Sequence, residues 1–247
     1  MEPLTWFLTG MEKHSDEYRE DLLGNGEAFI GAMKTHMRSL HMSALQTAMN
    51  ELSNHDHSRF LTRTNHKVGR ISYAGAEAAS EGVNPAVMRE AVAIQMTWPG
   101  APTVYYGDEA GLCGFTDPDN RRTYPWGRED YQMIDFHRVM IRIHKNYEVL
   151  KTGSLGFLWN DYQGLCYARF SRKEQMIVII NNQAESRDVE IQLWQAGISR
   201  LADTKLKRIV VTSAEGFTEE PEEYTATAGI LKITMPAFGA MVLHHKN

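Results

Sequence analysis

Over the first 150 positions, apolar residues recur mostly at helical spacing, with short apolar or β-branched runs between them. From Glu27 to Leu40, the residues Phe29, Met33, Met37 and Leu40 stand four, four and three apart, which predicts a helix with one core-facing stripe. A short apolar stretch, Met49 to Leu52, runs directly into Ser53-Asn54-His55-Asp56. Asn84-Pro85-Ala86 reads as an N-cap with proline at the first helical position, opening a helix that extends to Trp98. Pro99-Gly100-Ala101-Pro102 closes it, and Thr103-Val104-Tyr105-Tyr106 before Gly107 predicts a short buried strand. Met133, Phe136, Met140, Ile143 and Tyr147 mark one more helix.

After Tyr147 the period changes. Leu165 to Phe170, Met176 to Ile180, Val189 to Leu193, Ile209 to Val211, Ile230 to Met235 and Met241 to His244 are strand-like runs divided by Gly, Asn, Asp and Ser. The acidic stretch Glu215 to Glu223, which includes Pro221, is expected to be a solvated loop. Helix and strand alternation followed by strands alone predicts an α/β unit over residues 1–150 and an all-β unit over 151–247, divided near Lys151 to Gly153.

Charge adds exclusions. A net charge of −5 with interspersed signs leaves no electrostatic footprint for nucleic acid or anionic lipid. No apolar run is long enough to span a bilayer, and no signal-peptide pattern opens the chain. Cys113 and Cys166 sit in no ligand spacing, so two buried free thiols and a cytoplasmic location are expected.

Candidate chemistry concentrates at Asn54-His55-Asp56, where polar groups follow an apolar strand directly, as they do at the mouth of a parallel β/α barrel. Taken alone, the tripeptide also suits a turn whose Asn and Asp bond their own backbone. His55, Asp56, His57 and His66 are residue types that can ligate zinc, so a metal-dependent hydrolase is another reading. Strand alternation would send His55 and Asp56 to opposite faces and argues against it. A third reading is a carbohydrate-binding module without chemistry, using His55, Asp117, Arg121 and Trp126, although core packing is the expected fate of a large aromatic such as Trp126. Arg59 is expected either to fix the loop by a salt bridge or to touch substrate. His41, His137 and His144 are expected at exposed or core-edge positions on helices.

Leu52-Ser53-Asn54-His55-Asp56-His57-Ser58-Arg59, followed by one long helix and then by Pro99 through Thr103-Val104-Tyr105-Tyr106-Gly107-Asp108-Glu109, resembles the end of the barrel in the α-amylase superfamily of glycoside hydrolases. Asp117-Pro118-Asp119-Asn120-Arg121-Arg122 with Pro125-Trp126 is similar to the loop after the eighth strand in neopullulanases, cyclomaltodextrinases and maltogenic amylases. The resemblance implies the last third of a (β/α)8 TIM barrel followed by an antiparallel β-sandwich. It implies retaining hydrolysis of α-glucosidic bonds in maltodextrins or cyclodextrins; calcium is common in that family, but no oxygen-ligand cluster stands out in this sequence, so no metal and no cofactor are expected.

By the same resemblance Asp56 is the transition-state-stabilising carboxylate, and His55 and Asn54 contact the sugar at the cleavage subsite. Asp117 and Arg121 line outer subsites. Retaining cleavage needs two further carboxylates roughly 5 Å apart. In the family these precede the Asn-His-Asp strand, and the 53 residues before Asn54 hold neither motif. A barrel takes about 250 residues, so the chain reads as truncated and inactive by itself. Its open barrel edges are then expected to be hidden by self-association.

Overall fold

The structure is a computed structural model that describes residues 2–13 and 17–247. Helix α1 (Glu2–Thr9) buries Leu4, Trp6, Phe7 and Leu8. Helix α2 (Gly26–Arg38) opens on Asn25, whose side chain accepts from the Ala28 amide, and buries Phe29, Ile30 and Met33. The stripe ends sooner than its spacing predicts, because the helix stops at Arg38 and Leu40 is exposed. Helix α3 (Met42–Thr47) leads into strand β1 (Met49–Glu51).

The long helix predicted from Asn84 forms as α6 (Pro85–Thr97), and between β1 and it the chain adds the short helices α4 (Phe60–Arg63) and α5 (Ile71–Ala74) and a 3-10 turn, which the sequence reading left unassigned. Gly69, Gly75 and Gly82 divide that segment, with φ positive at the last two. Asn84 caps α6 as expected, accepting from the Ala86 amide at 2.9 Å. Strand β2 (Ala101–Thr103) lies N-terminal to the expected run, so Val104 and Tyr106 are exposed rather than buried. Pro102 is admitted because β1 and β2 form only a two-stranded sheet, where one missing amide donor is tolerable.

The two strands are parallel, with Asn50 opposite Pro102. Gln95 on α6 fixes the pair, donating to the carbonyl of Asn50 and to that of Thr103, each at 2.9 Å. Asn50 in turn donates to the Pro99 carbonyl at 3.2 Å, and a Cβ at Gly100 (φ +137°) would meet its Nδ2 at 2.6 Å.

Helices α7 (Tyr131–Asn146) and α8 (Glu148–Thr152) complete the helical part. Met133, Phe136, Met140 and Ile143 are buried as the spacing predicts, and so is His137, whose imidazole burial holds below the usual range. The helix-to-strand change falls at Gly153, followed by β3 (Ser154–Asp161), β4 (Gly164–Phe170), β5 (Glu174–Asn181), β6 (Arg187–Gln192), β7 (Thr204–Thr212), β8 (Phe217–Thr218), β9 (Glu223–Ala226), β10 (Ile230–Met235) and β11 (Gly239–Lys246). Strand β3 is half-exposed and its apolar run, Leu155 to Trp159, was passed over in the sequence reading, while β8 interrupts the stretch expected to be loop.

Strands β3, β4, β5, β11, β7 and β8 hydrogen-bond in that order, with β9 also on β7, forming a large antiparallel sheet; β6 and β10 pair separately. Side chains alternate across β4 and β5. Leu165, Tyr167, Val178 and Ile180 join the core of the helices, whereas Cys166, Ala168, Ile177 and Ile179 meet Val189, Ile191, Leu231 and Ile233 of the β6–β10 pair. A sheet buried on both faces explains why β5 reads as a continuous apolar run. Both cysteines are free and buried.

Arg169 crosses from sheet to helices. Its guanidinium donates to the carbonyls of Thr97, Leu150 and Gly153 at 2.8–2.9 Å. Burial lowers its pKa to about 10. Among the described residues no helix is long and apolar enough to cross a membrane.

Candidate active site

The polar tripeptide begins three residues beyond β1, and its shape is set by its own side chains. Asn54 donates to Glu51 at 2.6 Å and accepts from the Asp56 amide at 2.9 Å, the turn that Asn chemistry favours. Glu51 also meets Lys13 at 3.2 Å. Burial raises the Glu51 pKa, but the Asn54 and Lys13 contacts outweigh it and the net shift is downward. Past the strand the alternation rule lapses: His55 Nε2 and Asp56 Oδ1 lie 3.3 Å apart on the same side, both largely exposed. The expectation that these neighbours diverge is therefore corrected.

The loop after β2 closes onto this turn. Thr116 donates to the Asp56 carbonyl at 2.8 Å, and Asn120 donates to the carbonyls of Asn54 (3.1 Å) and His57 (2.8 Å). Arg121 Nε donates to the His55 carbonyl at 3.1 Å and pairs with Asp117 at 2.7 Å, with both side chains half-exposed. Asn54, His55, Asp56, Asp117 and Arg121 thus share one surface, although 61 residues separate Asp56 from Asp117. Asp119 is buried, receives the Phe115 amide at 2.8 Å and holds Arg122 through both carboxylate oxygens, which fixes the loop's own shape.

Arg59 lies beneath. It is fully buried, so it braces the loops and does not face a ligand. Its guanidinium donates to the Asn120 carbonyl (2.9 Å) and the Tyr106 carbonyl, pairs with Asp108 at 3.1 Å, and lies against the rings of Tyr105 and Tyr106. Burial raises the Asp108 pKa to about 6, against the opposing pull of Arg59 and a Ser53 hydrogen bond. Sequence reasoning assigned nothing to Asp108, Asn120 or Thr116. Their only signal was membership of the two polar segments.

One further expectation fails: Trp126 is not a core residue; it is 80% exposed, with the Tyr124 ring 4.5 Å away. The disfavoured metal-site alternative gains nothing, since His66 lies edge-on to Tyr18. Among the described residues, no three His, Cys, Asp or Glu side chains are grouped so as to hold an ion.

Residues 8–197 match the family described as alpha amylase, catalytic domain. The chain belongs to the α-amylase family. Within it, the amylopullulanase of Thermoanaerobacter thermohydrosulfuricus is 32% identical over 163 residues, covering 59% of this chain and 10% of that protein. Neopullulanase 2 of Thermoactinomyces vulgaris is 29% identical over 97% of this chain and 34% of its own length. The fold likeness extends to the α-amylase of Geobacillus thermoleovorans, solved in complex with acarbose, with TM-score 0.73 and 17% identity over 99% of this chain and 46% of that one. The chain spans between 10% and 34% of the length of these and other curated relatives that it matches.

Proposed function

We propose that this chain contributes one side of an α-glucan cleft in a retaining glycoside hydrolase. In this reading Asp56 is the carboxylate that stabilises the oxocarbenium-like transition state. His55 binds the hydroxyls of the same ring, Asn54 sets the turn, and Asp117 with Arg121 contacts sugars further out. Maltodextrins or cyclodextrins are the substrates, and no metal or cofactor takes part. The observation that carries the reading is the set of hydrogen bonds from Thr116, Asn120 and Arg121 to the backbone of residues 54–57, which makes two distant polar segments one fixed surface. A carboxylate lowers such a barrier only if it is held in place beforehand; the Asp56 backbone is held by Thr116 and Asn54, and its carboxylate lies 3.3 Å from His55.

In the same proposal β1 and β2 are the seventh and eighth strands of a β/α barrel, residues 1–150 its last third, and residues 151–247 a β-sandwich domain. The nucleophile and the general acid are not supplied by this chain, which alone is inactive. Leu40, Met42 and Met49 remain exposed around β1, and the two-stranded pair has open outer edges, so the isolated chain covers them by self-association. Two buried free thiols fit a cytoplasmic setting.

Titration calorimetry with maltotriose tests the cleft: His55→Ala and Arg121→Ala should each weaken binding about tenfold or more. Equal affinity in both variants and the parent chain overturns it. A coloured α-glucoside tests the division of labour, and turnover that vanishes in Asp56→Ala would refute the absence of nucleophile and acid. Light scattering that shows a stable monomer removes the self-association.

A further inference from the structure

The loop that carries Asp117 and Arg121 continues to an aromatic pair, Tyr124 and Trp126. Trp126 is 80% exposed, its ring flanked on one side by Tyr124 at 4.5 Å and 49°. The backbone there is fixed. Trp126 N donates to the Tyr124 carbonyl and Arg128 N to the Pro125 carbonyl, both at 2.8 Å, and Gly127 at φ +76° completes the turn. Upstream, the Tyr106 hydroxyl donates to the Arg122 carbonyl at 2.8 Å, while the Arg122 guanidinium binds Asp119 through both oxygens and the Ala76 carbonyl at 2.7 Å. A large ring held out to water on a pinned loop is preorganised for something that stacks on it.

We propose that Tyr124 and Trp126 form a second α-glucan contact, a stacking platform outside the cleft bordered by His55 and Asp56; this rests on reading that cleft as a glucan site. A pyranose ring presents a flat C–H face to an aromatic ring and a rim of hydroxyls to polar neighbours. Both are supplied here: the Tyr124 hydroxyl is hydrogen-bonded to Glu109, and Glu129 and the exposed Tyr131 stand close by. With Arg128 adjoining Glu129 on the same turn, the local charge is mixed rather than of one sign, which suits a neutral polyol. Arg121 and Trp126 are five residues apart, at most about 18 Å along the chain, a span that a few linked glucoses cover. One oligosaccharide therefore reaches both places.

The experiment titrates the full chain with maltose and with maltoheptaose, following calorimetry and indole fluorescence, for the parent, Trp126→Ala, Trp126→Phe and Arg121→Ala. The expected result is about a tenfold loss of maltoheptaose affinity in Trp126→Ala, with a smaller loss for maltose and recovery in Trp126→Phe. A loss in Arg121→Ala but none in Trp126→Ala overturns the platform and leaves the cleft standing. A loss in Trp126→Ala alone supports the platform and refutes the cleft. No binding by the parent, or a change of oligomeric state in Trp126→Ala with glucan affinity intact, overturns the platform.

Discussion

Arg59 and Asp108 meet at 3.1 Å in a buried layer directly under the two polar loops, 49 positions apart in the chain. The pair joins the turn after β1 to the turn after β2, and the Arg59 bond to the Asn120 carbonyl extends it to the third loop. Removing one member of such a pair leaves the other charge uncompensated. Arg59→Ala should therefore cost roughly 3–5 kcal/mol, measured by urea unfolding. A loss under about 1 kcal/mol would show that the brace is dispensable.

Asp108 also gives the protein a pH signature. Its native pKa of about 6 exceeds the ordinary 3.8, so the folded state binds more protons between those values. Stability from this group is complete below 3.8, declines as pH rises and levels off above 6. The span corresponds to roughly 3 kcal/mol at most. Urea unfolding from pH 4 to 7 should show this decline in the parent and a flatter profile in Asp108→Asn.

Glu90 sharpens the same trend. It is fully buried on α6 with neither carboxylate oxygen hydrogen-bonded, and burial drives its pKa well above the usual range despite Arg89 beside it. Replacing an unsatisfied acid by an apolar residue of similar size relieves a desolvation cost of about 1–3 kcal/mol. Glu90→Leu is expected to raise the thermal midpoint at pH 8 more than at pH 5, and an equal or lower midpoint at pH 8 would contradict this.

Asn120 spans the tripeptide with two donated bonds. Asn120→Ala leaves the carbonyls of Asn54 and His57 without those partners, a loss of about 1–3 kcal/mol. If the turn relies on this clamp, amide hydrogen exchange over residues 54–57 should speed up while that of β4 and β5 stays unchanged.

Gln95 serves the strand pair in the same way, donating to β1 and β2 together. Gln95→Leu keeps the volume but removes both bonds. It should destabilise the chain by about 1–3 kcal/mol in a denaturant titration.

Much of this was legible in the chain. The Asn84-Pro85 start of α6 and the stripe of α7 follow from local chemistry, and β4, β5, β10 and β11 from compact apolar runs. Strand β3 escaped because its residues are only partly buried. The segment between Arg59 and Asn84 carries no helical stripe or strand run of its own, so the short helices α4 and α5 went unassigned. At the candidate site, the polar segments were visible but their supports were not. Asp108 pairs with the side chain of Arg59 and Asn120 with the backbone of Asn54 and His57, distant relations that no local spacing encodes. Trp126 was assigned to the core on the base rate for large aromatics, and only the fold reveals that nothing covers its ring.

The Arg169 guanidinium has a bearing on any shortened version of the molecule. Its three acceptors lie at the end of α6, in α8 and at Gly153, while the side chain itself comes from the end of β4 beyond that junction. Severing the chain at Gly153 strips the N-terminal piece of the cation that neutralises those carbonyls and of the apolar floor formed by Tyr167 and Val178. The C-terminal piece would carry an unquenched positive charge in an oily face. Neither half would make a well-behaved reagent, so protein engineers should trim loops and keep that junction whole.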